Sequence, residues 1–297
     1  MSDITARLEA LPCWSAAITW ERLHGGLSNE SFKVTSGGAS YVARFGQDFP
    51  FHHVFREREA MTARAAAAAG LAPEVIYSGP GVLVCRFIEA KTYDAAAVRA
   101  NLDRVGDLVA QFHQALPARV SGPGFMFWVF HVIRDYARTL EAGGSRMTGR
   151  LPEFLALNSA FEAAQVPLPI VFGHNDLLPG NILDDGARLW LIDFEYAGFS
   201  TALFDLAGVA SNAGFSSEES TRLLTRYFGA APDPAILQAQ AAMQCASLLR
   251  ETLWSLVSEL HIDIPENDYL AYTEQNLAAF EESLESYRSR YGQPGKR

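Results

Sequence analysis

The chain has 297 residues, 49% of them hydrophobic and 20% charged, which is the balance of a globular protein able to bury a sizeable core in one or two domains. A formal net charge of −10 speaks against a nucleic-acid partner and suits a small cationic one. No window approaches about 18 uncharged apolar residues, the start "MSDITARLEALPCW" lacks a basic region before a long apolar run, and Cys13, Cys85 and Cys245 are scattered, so we expect no membrane span, no secretory signal and no disulfide framework, in a reducing cytoplasm.

In chain order, "ITWERLHGG" and "SFKVTSGGASYVARF" are β-rich, and the "SGG" at 36–38 predicts a hairpin loop. "FREREAMTARAAAAAG" predicts a helix with Gly70 at its C-terminal end and Pro73 just beyond. "EVIYSGPGVLVCRFI" returns to strands around a "SGPG" turn. Residues 1–88 therefore read as a small β-rich lobe with one helix packed across it. From Lys91 helices dominate: Val98, Leu102, Val105, Val109, Phe112 and Leu116 recur at helical spacing. "NIL", "DDGAR" and "LWLID" make a hairpin near 181–193, and helices resume from about Leu203. Residues 89–297 read as a larger, mainly helical lobe, with a cleft between the two. The fold class is α+β.

"VFGHNDLLPGNILDDGARLWLIDFEY", residues 171–196, interrupts these apolar runs with polar groups at set intervals. Asp176 is followed at +5 by Asn181, and a hairpin then carries Asp193 back toward it. Phosphoryl transfer needs such a set: one carboxylate beside the attacking hydroxyl, plus an amide oxygen and a second carboxylate on Mg²⁺. The pattern matches the kinase H-x-D-x-x-x-x-N and D-F-G signatures with two departures, Asn175 after His174 and Glu195 after Phe194.

With those departures, "HNDLLPGNIL" and "LIDFEYAG" resemble the choline/ethanolamine kinases, within the wider group that includes the aminoglycoside phosphotransferases. The resemblance extends over most of the chain and implies a two-lobed protein-kinase-like fold, an ATP and Mg²⁺ requirement, and catalytic residues Asp176, Asn181 and Asp193, the last two holding the metal. It implies that "GGLSNESFKV" lies over the ATP phosphates, with Ser28 and Asn29 among the contacts, although the stretch is glycine-poor and alone reads as an ordinary hairpin turn. Arg44, in "YVARF", stands where kinases place a lysine, with Glu59 as its partner and Glu57 as the alternative; the competing reading of "REREA" is a solvated charged face. Backbone near Arg86 to Ile88, chiefly Phe87 and Ile88, would meet the adenine edge.

A quaternary or primary amine substrate calls for aromatic faces and negative potential. Tyr196, Trp254, Tyr269 and Tyr272 are the candidate faces, Glu195 and Glu251 the candidate charges; core packing is the alternative for the aromatics. By resemblance, Tyr196, Trp254 and Tyr272 fall where the family builds its cation pocket, but Glu251 stands where eukaryotic members carry a second Trp, which leaves ethanolamine or another amino alcohol open beside choline. His174 reads as a fastener of its loop and Asp205 as a brace for it or a helix cap, while His113, His131, Trp128 and Trp190 read as structural. There is no H-E-x-x-H and no G-x-S-x-G, against a metal hydrolase or a serine nucleophile. The competing functions are a kinase of another hydroxylated amine, such as thiamine or an aminoglycoside, and a non-catalytic nucleotide-binding module.

Overall fold

The computed structural model describes residues 2–23, 29–262 and 268–295. Helix α1 (Ser2–Glu9) leads into strands β1 (Ile18–Leu23), β2 (Glu30–Ser36) and β3 (Ala39–Phe45), then helix α2 (Arg56–Ala68) and strands β4 (Val75–Gly79) and β5 (Val82–Arg86). The five strands form one antiparallel sheet in the order β1-β2-β3-β5-β4. The period-two pattern explains the register: Phe32, Val34 and Tyr41, Ala43, Phe45 all face the same buried side, with Phe32 opposite Ala43 and Val34 opposite Tyr41. Gly37 and Gly38 join β2 to β3 with φ of 57° and 80°, the two left-handed positions a tight hairpin needs. Leu8, Phe32, Val34, Tyr41, Ala43, Phe45 and Val84 make a core of their own.

Helix α2 ends where the sequence predicts. Gly70 has φ 73°, its N–H donates to Ala67 O (2.9 Å), and Leu71 N–H reaches back to Ala66 O (2.9 Å). Its buried Ala63, Ala65 and Ala66 join the second, larger core and not that of the sheet, so the helix assigned from sequence to the N-terminal lobe packs into the larger core.

The remainder begins with β6 (Lys91–Thr92) and helices α3 (Ala95–Ala100), α4 (Leu102–Ala115), α5 (Val129–Ala142) and α6 (Leu151–Ala163). Strands β7 (Ile170–Gly173), β8 (Ile182–Asp184), β9 (Leu189–Leu191) and β10 (Gly198–Thr201) follow, then helices α7 (Ala202–Asn212), α8 (Ser217–Phe228), α9 (Pro234–His261) and α10 (Tyr269–Tyr291). The Val98-to-Leu116 repeat is buried as its spacing requires, but Asn101 breaks it into α3 and α4. Strands β8 and β9 form the expected hairpin, Ile182 opposite Leu191, with β6 alongside β8. β7 pairs with β10, Gly173 opposite Gly198, which sets the residue before His174 against the exit of the "DFEY" segment. No helix among the described residues is long and apolar enough to cross a membrane.

Candidate active site

The Asp176 loop leaves β7 and is held from below by one side chain. Asp205, on α7 and 2% exposed, accepts the backbone N–H of His174 and of Asn175, each at 2.7 Å, and contacts His113 Nε2 at 2.8 Å. Burial raises the Asp205 carboxyl, but the bond and charge of His113 prevail and hold it below the usual carboxylate range. Asp205 thus braces the loop; the cap of α7 is Thr201. Asn175 adopts φ 62°, a left-handed turn that asparagine tolerates, and its Nδ2 donates to Tyr196 O (3.0 Å) and Gly198 O (3.2 Å). His174 fastens the loop to β9's exit through Nε2 and Ile192 O at 3.0 Å.

Asn181 closes the loop by donating Nδ2 to the Asp176 carbonyl at 2.8 Å. Ile192 N–H donates to Asn181 O at 3.1 Å, so the hairpin delivers the next residue, Asp193, beside Asn181. Asp193 has φ 68°, a backbone reversal at the strand end. Asp176 lies within electrostatic reach of Arg250, Asp193, Glu251 and Glu195. Desolvation in the cleft pushes its carboxyl well above the ordinary aspartate range, against the pull of Arg250.

Arg44 is the hub of a second, charged cluster. Its guanidinium pairs with Glu59, meets Asp193 Oδ1 at 2.9 Å and donates to Glu195 Oε1 at 2.8 Å. Glu59 is therefore its partner; Glu57 is exposed. Arg56 adds a second cation, with Nη1 2.7 Å from Glu59 Oε2 and 2.6 Å from Glu195 Oε1. Carboxylate oxygens of Glu59, Asp193 and Glu195 lie within 4.8 Å of one another. Burial lifts the Asp193 and Glu59 carboxyls despite Arg44, whereas at Glu195 the charges of Arg44 and Arg56 outweigh burial and lower it. Glu195, placed from sequence on the substrate side, thus turns to the Arg44 cluster and also accepts from Asn29 Nδ2. Ser28 lies outside the described residues. Phe87 N–H is engaged by Ser40 O at 3.0 Å, which leaves Ile88 as the better backbone donor of that pair.

The aromatic candidates do converge. Trp254 Nε1 donates to Tyr196 Oη at 2.8 Å, and the Trp254 ring lies edge-on to Tyr272 (6.1 Å between centroids) and to Tyr269 (6.2 Å). Tyr272 Oη donates to Glu251 Oε1 at 2.8 Å. Sequence reasoning missed four members of the site: Arg56, Arg58, Tyr136 and Arg250. Arg58 donates to Glu195 O at 2.9 Å, and burial lowers its guanidinium to about 10. Arg250 is 4% exposed, donates Nη1 to Glu251 Oε2 at 2.6 Å and lies over the Tyr196 ring at 4.4 Å. A signal for it existed, since Arg250 shares its helix face with Ala246, Leu253 and Trp254, all buried.

The sequence profile of the phosphotransferase enzyme family matches residues 19–240, well over half of the chain. The chain belongs to the phosphotransferase enzyme family. Among curated relatives it is 28% identical over 211 residues to LicA of Haemophilus influenzae, covering 68% of this chain and 61% of that protein, less than two thirds of its length. It is 25% identical over 290 residues to a probable ethanolamine kinase of Arabidopsis thaliana, covering 85% of this chain and 76% of that one. Among solved structures, a choline/ethanolamine kinase family protein from Mesorhizobium loti superposes with a TM-score of 0.76 at 30% identity, over 96% of this chain and 94% of the other. The family resemblance and the α+β, protein-kinase-like fold class read from the sequence are borne out.

Proposed function

We propose that the protein is a small-molecule kinase that transfers the γ-phosphoryl group of ATP to the hydroxyl of a small amino alcohol. The observation that carries this reading is the setting of Asp176: Asn181 Nδ2 bonds its carbonyl at 2.8 Å, Ile192 N–H bonds Asn181 O and so brings Asp193 alongside, and the Trp254–Tyr196 and Tyr272–Glu251 bonds gather the aromatic residues around Glu251, whose charge Asp176 feels. A hydroxyl held there stands between a phosphate-facing cluster and a pocket suited to an amine.

The donor set fits Mg²⁺. Asp193 Oδ1 is buried and pairs with Arg44 Nη1 at 2.9 Å, with no well-aligned donor on it among the described residues, while Asn181 engages its Nδ2 with Asp176 and keeps its amide oxygen as an acceptor. A carboxylate and an amide oxygen are hard ligands of the kind this ion takes. Bound Mg²⁺ supplies charge neutralisation at the β- and γ-phosphates. Asp176 orients the acceptor hydroxyl and takes its proton, and Arg44 meets the phosphates with a planar fork. Trp254, Tyr196, Tyr269 and Tyr272 enclose the acceptor, and Glu251 draws its ammonium. Catalysis then comes from positioning and charge compensation.

The test is ADP release with Mg-ATP against a panel of amines bearing a hydroxyl, alongside Asp176→Asn. Turnover should fall at least about 10²-fold in the variant while ATP binding persists. A variant with near-normal kcat refutes the assignment of Asp176.

A further inference from the structure

The acceptor pocket contains a cation that an amine-only substrate does not need. Arg250, on α9, has Glu251, Tyr136, Tyr196 and Asp176 as its charged and polar neighbours, and it covers the face of Tyr196. Among the described residues the carboxylate that pairs with its guanidinium is Glu251, through Nη1. Nε and Nη2, the two N–H groups along one edge of the fork, are buried and meet no carboxylate among the described residues; the Tyr136 hydroxyl interacts with the guanidinium but brings it no charge.

Elsewhere in this chain the same edge has a consistent use. Arg146 grips Glu259 through Nε (3.0 Å) and Nη2 (3.1 Å), Arg222 grips Asp103 (3.1 and 2.6 Å), and Arg226 grips Asp107 (2.6 and 2.5 Å). Each is a two-point clasp on a carboxylate, the arrangement that a planar guanidinium matches best. At Arg250 that edge is buried and faces no carboxylate of the chain's described residues in such a clasp, with Asp176 close enough for its charge to be felt. A buried donor without an acceptor is costly, and a buried ion pair supplied by a ligand removes the cost. The guanidinium also occupies the Tyr196 face that a quaternary ammonium would seek, so such a ligand meets a like charge.

We infer that the acceptor is a zwitterionic hydroxy-amine, whose carboxylate is clasped by Nε and Nη2 of Arg250 with the Tyr136 hydroxyl alongside, and whose ammonium lies toward Glu251. This rests on the phosphotransfer reading above and narrows its substrate class. The adjacent Arg250 and Glu251 present opposite charges to the two ends of such a molecule, and Asp176 lies within reach of both.

Matched acceptors test it. Serine is ethanolamine with a carboxylate added, homoserine is one carbon longer, and carnitine pairs a quaternary amine and a hydroxyl with a carboxylate, as choline does not. In ADP release with the full chain and Mg-ATP, at least one carboxylate-bearing acceptor should exceed its carboxylate-free counterpart in kcat/KM by about tenfold or more. Arg250→Met should lose that preference and gain on choline. Arg250→Lys keeps the charge without the fork and should lose the carboxylate acceptor without gaining choline. Should Arg250→Met not fold, the wild-type comparison and the thermal shift produced by serine against ethanolamine carry the test alone. Preference for the carboxylate-free member of both pairs overturns the inference and leaves phosphotransfer standing. ADP release with no acceptor, from a chain that binds ATP, overturns phosphotransfer and this inference with it.

Discussion

Substituting Asp205 by Asn isolates the contribution of one buried carboxylate to the placement of Asp176, which it never touches. The carboxylate serves three groups, the N–H of His174 and of Asn175 at 2.7 Å and His113 Nε2 at 2.8 Å. The amide keeps the shape but accepts through one oxygen only. With that oxygen in the position of Oδ2 it retains His174 and His113, and its NH₂ is turned against the Asn175 N–H. One buried donor left unmatched costs about 1–3 kcal/mol, and loss of charge assistance at the other two adds roughly 1 kcal/mol. A total of about 3 kcal/mol should lower Tm by roughly 5–10 °C. Because the displaced backbone carries Asp176, kcat should fall about 10–100-fold while KM for ATP changes less than about threefold. The sign of the pH dependence follows from the depressed Asp205 carboxyl. Its stabilisation is fully present above the unfolded carboxylate value, about 4, and is lost as pH falls through the lower folded value, so Asp205→Asn should be nearer to wild type in acid than at neutrality. Thermal melts at two pH values and steady-state kinetics read all three effects. An unchanged Tm, or a loss confined to KM, refutes the bracing role.

Because the Asp176 carboxyl is lifted by desolvation, the acid limb of kcat/KM should sit above the ordinary aspartate range, and Arg250→Met, which removes a neighbouring cation, should move it to still higher pH. A limb that stays at the usual aspartate value in both proteins contradicts this. Arg44→Ala should weaken ATP binding roughly 10–100-fold by calorimetry, since it removes a charge-assisted contact and leaves Glu59, Asp193 and Glu195 facing one another. Trp254→Leu should destabilise the protein by about 3 kcal/mol in urea unfolding and raise the acceptor KM more than that of ATP. It loses the bond to Tyr196 and the His52 stack, whose centroids lie 4.7 Å apart.

Local chemistry made much of this legible. The β2–β3 hairpin follows from alternation plus two glycines, the end of α2 from Gly70, and the Asp176–Asn181–Asp193 set from spacing around a hairpin whose strands are apolar. What escaped was set by distant partners. "REREA" reads as a solvated face until Glu195, 139 residues beyond Arg56, arrives to bury Arg56 and Glu59. Glu195 itself looks like a companion of Tyr196 in the proposed amine pocket; after the Asp193 reversal the two adjacent residues in fact join different clusters, Glu195 that of Arg44 and Tyr196 that of Trp254. The pairing of β7 with β10 and the helix α1 rest on short segments whose burial is decided by the whole molecule.

The multiply held Glu195 has a bearing on how nucleotide is admitted. Its Oε1 is shared by Asn29, just before β2, by Arg44 from the sheet and by Arg56 from α2, and its carbonyl accepts from Arg58. A triphosphate that recruits Arg44 must trade with this anchor, so measured ATP affinity is the difference between two competing claims on one guanidinium. Loosening the anchor by Glu195→Gln should tighten nucleotide binding while letting the two cores drift apart, which makes Glu195 the tension spring of the cleft.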